Sequence, residues 1–146
     1  MKTKNSIVEA APSDINEISD LLETHCLPTK DISDSDINFF VISSENGLVA
    51  CAGIELFGKK GLLRSVAVKE ELRGKGIGSE LIDGVLLKAQ GFGISELYLL
   101  TETAEIFFSK KGFTRINREN APESIKTSNE FAEVCPSSAI LMMKKL

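Results

Sequence analysis

The chain has 146 residues, of which 42% are hydrophobic and 26% charged, with a formal net charge of −4 at pH 7. This length predicts one domain spanning residues 1–146, large enough to bury a core without disulfides or metal. The negative charge argues against a nucleic-acid or anionic-membrane partner, and no apolar run reaches the 18 residues of a membrane span.

The cysteines and the N-terminal segment give the expected compartment. Cys26, Cys51 and Cys135 are odd in number and widely spaced, so we predict neither a disulfide framework nor a metal site. Residues 1–6 lack the apolar core of a signal peptide. We therefore expect a cytoplasmic protein.

The first half of the chain predicts one helix among four strands. Pro12 opens the helix, which carries an apolar stripe at helical spacing and ends before Pro28. Residues 29–37 are expected to form a loop or a short second helix. The predicted strands are 7–10, 39–42, 48–57 and 62–68.

A turn between the third and fourth strands predicts their register. If Gly58 to Gly61 form a four-residue connection, Phe57 lies opposite Leu62, Glu55 opposite Arg64, and Gly53 opposite Val66. On this register Arg64 projects from the same sheet face as Val66, two residues further along.

The second half predicts alternating helices and strands. A helix follows Gly78 with an apolar face at Leu81, Ile82, Val85, Leu86 and Ala89. Thr101 is placed to cap a later helix that ends at Gly112. The remaining predicted elements are strands at 96–100, 113–116 and 139–143 and a short helix near 130–132.

A glycine-spaced loop joins the fourth strand to the helix after it, with the sequence Arg73-Gly74-Lys75-Gly76-Ile77-Gly78. A strand, a glycine-rich loop and a helix N-terminus together bind phosphate well. The dinucleotide pattern Gly-x-Gly-x-x-Gly fails because its third glycine falls on Ser79, and the NTPase phosphate loop is absent. An ordinary strand-to-helix turn is the alternative explanation.

The pattern that fits is Arg-x-x-Gly-x-Gly at Arg73, Gly76 and Gly78, which resembles the acetyl-CoA loop of the GNAT N-acetyltransferase superfamily. A second stretch, Ala104-x-x-Phe107-Phe108-x-x-x-Gly112-Phe113, is similar to another motif of that family. The resemblance implies an α/β GNAT (acyl-CoA N-acyltransferase) fold, with a mixed, largely antiparallel central sheet flanked by helices. The stretches 63–68, 99–104, 121–122 and 135–139 resemble an arsenic-resistance-associated subgroup.

The resemblance implies acetyl-CoA as co-substrate. The pantetheine arm is expected along the central strand, where the Val66 N–H would polarise the thioester carbonyl, and the phosphates at the glycine loop. The implied coenzyme-binding residues are Val66, Ala67, Val68, Arg73, Gly74, Lys75, Gly76, Ile77, Gly78, Ser79, Thr101, Ala104, Phe107 and Phe108.

Two positions depart from the family pattern. Thr101 stands where an asparagine often contacts the coenzyme. Phe108 stands where a tyrosine commonly protonates the leaving thiolate, and phenylalanine has no such proton. A thiolate of reference pKa near 8.5 can leave without a dedicated acid, so acyl transfer remains compatible with Phe108 as an apolar wall.

Three charged residues are the candidate catalytic groups. Arg64 would hold an acceptor carboxylate, Glu55 would orient or deprotonate the acceptor, and Glu102 is another candidate base. The alternatives are a cross-strand ion pair between Glu55 and Arg64, and a helix N-terminal charge at Glu102. His25, the single histidine, is a further candidate base or a capping residue.

The sequence thus predicts an acetyl-CoA-dependent N-acetyltransferase acting on a small-molecule amine, with an amino-acid-like toxicant as the acceptor in an arsenic-resistance context. The alternatives are a non-catalytic acyl-CoA-binding module and a thiol-based arsenical-binding protein in which Cys26 and Cys135 converge. A homodimer is left open as the assembly.

Overall fold

The computed structural model describes residues 7–25, 29, 37–45, 47–72, 74–128 and 139–146. Short 3-10 turns occur at Pro12–Asp14, Glu70–Leu72 and Arg118–Asn120. The helices and strands are β1 Ile7–Glu9, α1 Ile15–Thr24, β2 Ile37–Ser44, β3 Gly47–Phe57, β4 Lys60–Val68, α2 Ile77–Gly91, β5 Glu96–Thr101, α3 Glu105–Lys110, β6 Thr114–Ile116, α4 Glu123–Lys126 and β7 Ile140–Lys145.

The strands form one seven-stranded sheet in the order β1-β2-β3-β4-β5-β7-β6. Only the β4–β5 pairing is parallel among the described strands, so the predicted mixed, largely antiparallel sheet is confirmed. The predicted order of strands and longer helices is also confirmed. The short α4 was not predicted, and the helix expected near 130–132 lies outside the described residues.

Three apolar clusters cover the two faces of the sheet, and the smallest joins Ala121 and Ile125 to Leu62 of β4, Tyr98 of β5 and Leu141 of β7. The largest core packs α2 against β2, β3, β4 and β5. The α2 residues in this core belong to the predicted apolar stripe: Leu81, Ile82, Val85 and Ala89. The second core packs α1 against the other face of β2 and β3. Burial of each large side chain contributes about 1.5–3 kcal/mol, which holds the helices to the sheet.

The predicted register between β3 and β4 is wrong by two residues. The strands are joined by only two residues, Gly58 and Lys59, and pair Phe57 with Lys60, Glu55 with Leu62, and Gly53 with Arg64. Gly58 has φ +66°, a conformation that suits glycine and permits the tighter turn. Because side chains alternate with period two, the shift leaves Glu55 and Arg64 on one face.

A β-bulge in β4 changes the face on which the later residues lie. Ser65 and Val66 together stand opposite Ala52, since Arg64 pairs with Gly53 while Ala67 pairs with Cys51. Val66 packs with the α2-side core. A Cβ placed on Gly53, the partner of Arg64, would meet Phe39 of the α1-side core. The prediction that Arg64 and Val66 share a face is therefore wrong.

Gly61 allows the start of β4 to pack closely. An added Cβ would lie 2.9 Å from Ile94 Cδ1, 3.2 Å from Leu97 Cδ1 and 3.3 Å from Ile54 Cγ2. We expect Gly61→Ala to lower the free energy of unfolding by about 1–2 kcal/mol, because these side chains must move. In Gly91→Ala, whose Cβ meets open space at the end of α2, urea unfolding should show no loss. Equal stability of both variants would contradict this packing.

Candidate active site

The parallel strands β4 and β5 separate at one end of the sheet. They pair only between Lys60–Leu63 and Glu96–Leu99, although β4 continues to Val68 and β5 to Thr101. The bulge at Ser65 and Val66 begins one residue beyond the last pair, after Arg64. The divergence leaves a gap between the edges of β4 and β5, two central strands, at their C-terminal ends.

Backbone polar groups of β4 point into this gap. The N–H of Lys69 donates to the carbonyl of Val49 at 2.9 Å, on the β3 side. Because amides of successive strand residues point to opposite sides, the N–H and carbonyl of Val68 face away from β3. The open edge can therefore accept an extended ligand as if it were a further strand. The Ala67 side chain instead packs into the α1-side core.

The N-terminus of α2 lies beside the same end of β4. Gly74 and Gly76 have φ values of +81° and +82°, and Gly76 is the N-cap of α2. The first-turn N–H groups of Ile77, Gly78 and Ser79 have no partner within the helix. A Cβ on Gly78 would lie 3.8 Å from Val68 Cγ2, so the helix start packs against the strand end.

This helix end is a suitable anion site because its free N–H groups and the helix dipole both favour negative charge. The Lys75 side chain is exposed beside it, and Arg73 lies outside the described residues. The predicted loop residues from Gly74 to Ser79 thus lie together at one end of the gap.

Lys111 is a charged residue outside the predicted coenzyme-binding set that lies beside the start of α2. Its Nζ donates to Ser79 Oγ and, at 2.9 Å, to Asp83 Oδ1, and its side chain is only 16% exposed. It therefore joins the end of α3 to the first turns of α2. Its place could not be found from sequence, because no local pattern relates residues 32 positions apart.

The two aromatic residues of α3 pack with the α2-side core. The Thr101 hydroxyl accepts a hydrogen bond from the Ala104 N–H at 3.0 Å, but the N-cap of α3 is Ala104 itself, so Thr101 holds the turn before the helix and its predicted capping role is wrong. Phe107 is half-buried and packs edge-to-face on Phe108, with ring centroids 5.1 Å apart. Phe108 is buried and also packs on Phe113, so it belongs to the core.

Tyr98 does not replace the missing tyrosine at position 108. It is the only tyrosine of the chain, and its hydroxyl donates to Glu96 Oε1 at 2.7 Å, near the start of β5 and away from the gap. Burial, together with the Glu96 carboxylate, raises the pKa of Tyr98 well above its usual value. A general acid from this side chain is therefore not supported.

Glu55 and Arg64 form a buried ion pair. Arg64 Nη1 lies 3.2 Å from Glu55 Oε1, and the two side chains are 0% and 10% exposed. Their predicted proximity is confirmed. Arg64 Nε also donates to Ser65 Oγ at 3.3 Å. Glu102, the third predicted catalytic residue, is exposed just beyond the end of β5.

Ser65 has a strained backbone. Its φ of +56° is the only positive value among the described non-glycine residues, and this conformation costs about 1–2 kcal/mol. The Cys51 thiol donates to the Ser65 carbonyl at 3.4 Å. Burial raises the pKa of Cys51 to about 12, so this thiol is protonated at neutral pH.

The predicted pair of convergent thiols lies outside the described residues. Cys26 and Cys135 are not among the described residues. Within those residues, no group of three or more His, Cys, Asp or Glu side chains is placed to hold a metal ion. No described helix is long and apolar enough to cross a membrane.

An acidic cavity of about 630 Å³ opens between α1 and the segment that follows β4. Four carboxylates line it, against one lysine and the single histidine, so it favours cations. Lys69 in its wall directly follows Val68 of the gap. The lining residues are Glu17, Asp20, Leu21, Thr24, His25, Leu48, Lys69, Glu70 and Glu71.

A strand pair that opens in mid-sheet, next to a glycine-capped helix N-terminus, defines an acyl-CoA N-acyltransferase fold. Residues 35–115 match the acetyltransferase (GNAT) domain family. The match covers more than half of the chain, and the chain belongs to this family.

Sequence relatives include proteins named amino-acid acetyltransferase. The protein from Enterobacter sp. strain 638 is 32% identical over 90 residues, and that of Escherichia coli K12 is 31% identical over 90 residues. Both alignments cover 60% of this chain and 20% of the relative, so the chain spans about a fifth of the length of the curated relatives it matches.

Solved structures support the fold. The N-acetylglutamate synthase of Neisseria gonorrhoeae, complexed with coenzyme A and N-acetyl-glutamate, matches with a TM-score of 0.82 and 22% identity over 100% of this chain and 36% of that one. Rv2747 from Mycobacterium tuberculosis, in complex with CoA and NLQ, matches with a TM-score of 0.80 and 21% identity over 97% and 99% of the two chains.

Proposed function

We propose that the chain is an acetyl-CoA-dependent N-acetyltransferase that acetylates the amino group of a small, amino-acid-like molecule, acting as one domain over residues 1–146. The observation that carries the proposal is the gap between β4 and β5, which ends at the anion site of α2. An extended thiol arm and a pyrophosphate need these two features side by side.

In this proposal the pantetheine arm pairs with the open edge of β4 from Val66 to Val68. The pyrophosphate binds the N–H groups from Gly74 to Ser79, with positive charge from Arg73, Lys75 and Lys111. The segment from Thr101 to Ala104 and the half-buried Phe107 line the β5 side of the arm.

The acceptor amine attacks the thioester carbonyl, a C–N bond forms and the C–S bond breaks. The Val66 N–H stabilises the negative charge that develops on the carbonyl oxygen. Glu102, exposed at the end of β5, takes the proton of the acceptor ammonium, directly or through water. The second proton, lost from the nitrogen once the C–N bond has formed, passes to solvent, and coenzyme A leaves as a thiolate because Phe108 has no proton to donate.

Two observations support an amino-acid-like acceptor. The sequence relatives bear the name amino-acid acetyltransferase, although this chain covers a fifth of their length. The acidic cavity beside the end of β4 favours an approaching ammonium group. A direct contact between Arg64 and an acceptor carboxylate stays a prediction, since the buried pair with Glu55 would first have to open.

An amino-acid-like toxicant in an arsenic-resistance context is a narrower form of the same proposal and stays a prediction from the sequence resemblance. A homodimer stays a prediction as well, which sedimentation velocity would check. The non-catalytic coenzyme-binding module and the thiol-based arsenical binder are outcomes of the test below.

The test measures thiol release from acetyl-CoA with a panel of amino acids, their amides and neutral amines. We expect turnover with at least one amine that carries a carboxylate, and an N-acetyl product confirmed by mass spectrometry. Binding of acetyl-CoA without turnover across the panel would favour the non-catalytic module. Arsenite binding that is lost in Cys→Ser variants, without acetyl-CoA binding, would favour the arsenical binder.

A further inference from the structure

The strained backbone of Ser65 lies where β4 leaves β5. Leu63 is the last β4 residue paired with β5, and after one further residue, Arg64, Ser65 and Val66 make the bulge. Left-handed backbone at a residue other than glycine persists only where its surroundings hold it, and such residues concentrate at functional sites. The contacts of Ser65 therefore indicate which function the strained conformation serves.

Two side chains hold Ser65 from the α1 side of the sheet. Arg64 Nε donates to Ser65 Oγ at 3.3 Å, and Cys51 Sγ donates to the Ser65 carbonyl at 3.4 Å. Glu55 fixes the arginine through its contact with Nη1 at 3.2 Å. Cys51 is itself fully buried, so both holding groups are fixed by the core.

This arrangement does not activate Ser65 as a nucleophile. Arginine stays protonated at all ordinary pH values, so it cannot accept the hydroxyl proton. The hydrogen bond instead uses the hydroxyl oxygen as an acceptor, which fixes the side chain and leaves its reactivity unchanged. A strained serine held between a buried ion pair and a buried thiol points instead to a positioning role.

We propose that Glu55, Arg64 and Cys51 form a clamp on Ser65 that fixes the bulge and so aims the Val66 N–H at the thioester carbonyl in the gap. The inference rests on the proposed function, because it needs acetyl-CoA in the gap. Ser65, Arg64, Glu55 and Cys51 are then positioning residues, and Val66 supplies the contact to the reacting group.

Ser65→Gly is the diagnostic variant, because glycine accepts φ +56° without strain but removes the hydroxyl that Arg64 holds. The bulge then samples other conformations. We expect a thermal midpoint equal to or above that of the wild type, an acetyl-CoA Kd within about 2-fold, and a kcat reduced at least about 10-fold. Replacement of a residue with only a structural role would not lower kcat while the thermal midpoint and the acetyl-CoA Kd stay unchanged.

The control is Ser43→Gly, at the other register irregularity of the sheet, between Ile42 and Ser43 of β2. Ser43 is exposed and far from the gap in sheet order. This variant should lose some stability, because glycine weakens a strand, and keep the wild-type kcat. A similar loss of kcat in both variants would overturn the clamp.

A spectroscopic measurement tests the clamp without an acceptor. Binding of acetyl-CoA labelled with ¹³C at the carbonyl should shift its NMR resonance downfield in the wild type, because the N–H polarises the bond. In Ser65→Gly we expect that shift to shrink by at least half at saturating ligand. An undiminished shift would overturn the clamp alone, whereas a wild type that does not bind acetyl-CoA would overturn the proposed function.

Discussion

Gly76→Val should lower the affinity for acetyl-CoA at least about 100-fold, as measured by calorimetry, and leave a folded protein. Gly76 is the N-cap of α2 at φ +82°, where a β-branched residue is strained. The loop must move, and the N–H groups of the first turn then no longer converge on the pyrophosphate. Each hydrogen bond to a charged group contributes about 1.5–3 kcal/mol, so losing two is enough for this effect.

Gly93→Val is the matched control for this loop. Gly93 has φ +80° and open space around its Cβ position, as Gly76 does, but it follows the opposite end of α2. Both variants should show a similar loss of thermal stability, because the backbone strain is the same. Only Gly76→Val should lose coenzyme affinity. Unchanged affinity in a folded Gly76→Val protein would refute the assignment of the loop to pyrophosphate.

Glu55→Leu should cost about 3–5 kcal/mol of unfolding free energy, because it leaves the fully buried Arg64 guanidinium without its carboxylate. Guanidinium chloride unfolding measures this directly. The double variant Glu55→Leu with Arg64→Met should recover much of the loss, since it removes both charges and fills the volume with apolar groups. The result would show how strongly the core constrains the clamp on Ser65.

The exposed pair of Lys126 and Glu123 provides the comparison, since its atoms lie 4.0 Å apart and the glutamate side chain is 88% exposed. Glu123→Leu should change stability by less than about 0.5 kcal/mol, because solvent screens such pairs. If Glu55→Leu costs no more than Glu123→Leu, the guanidinium is hydrated in solution and the buried pair described above is incorrect.

The local sequence determined the elements that build the site. The apolar stripe from Leu81 to Ala89 has the period of a helix, and the apolar run from Leu62 to Val68 is that of a buried strand. The glycines at 74 and 76 supply the positive φ values that the loop requires. Periodicity and backbone preference act between neighbouring residues, so they can be predicted without the fold.

The tertiary structure alone determined how these elements meet. The register of β3 on β4 depends on a turn that the chain closes with two residues rather than four. Ser65 carries no signal for a left-handed bulge, because its conformation is imposed by Arg64 and Cys51. That bulge places Arg64 and Val66 on opposite faces. Lys111 reaches Ser79 only because α3 packs beside α2. Each of these outcomes is a contact between residues distant along the chain, and its geometry exists only once the sheet and helices have packed.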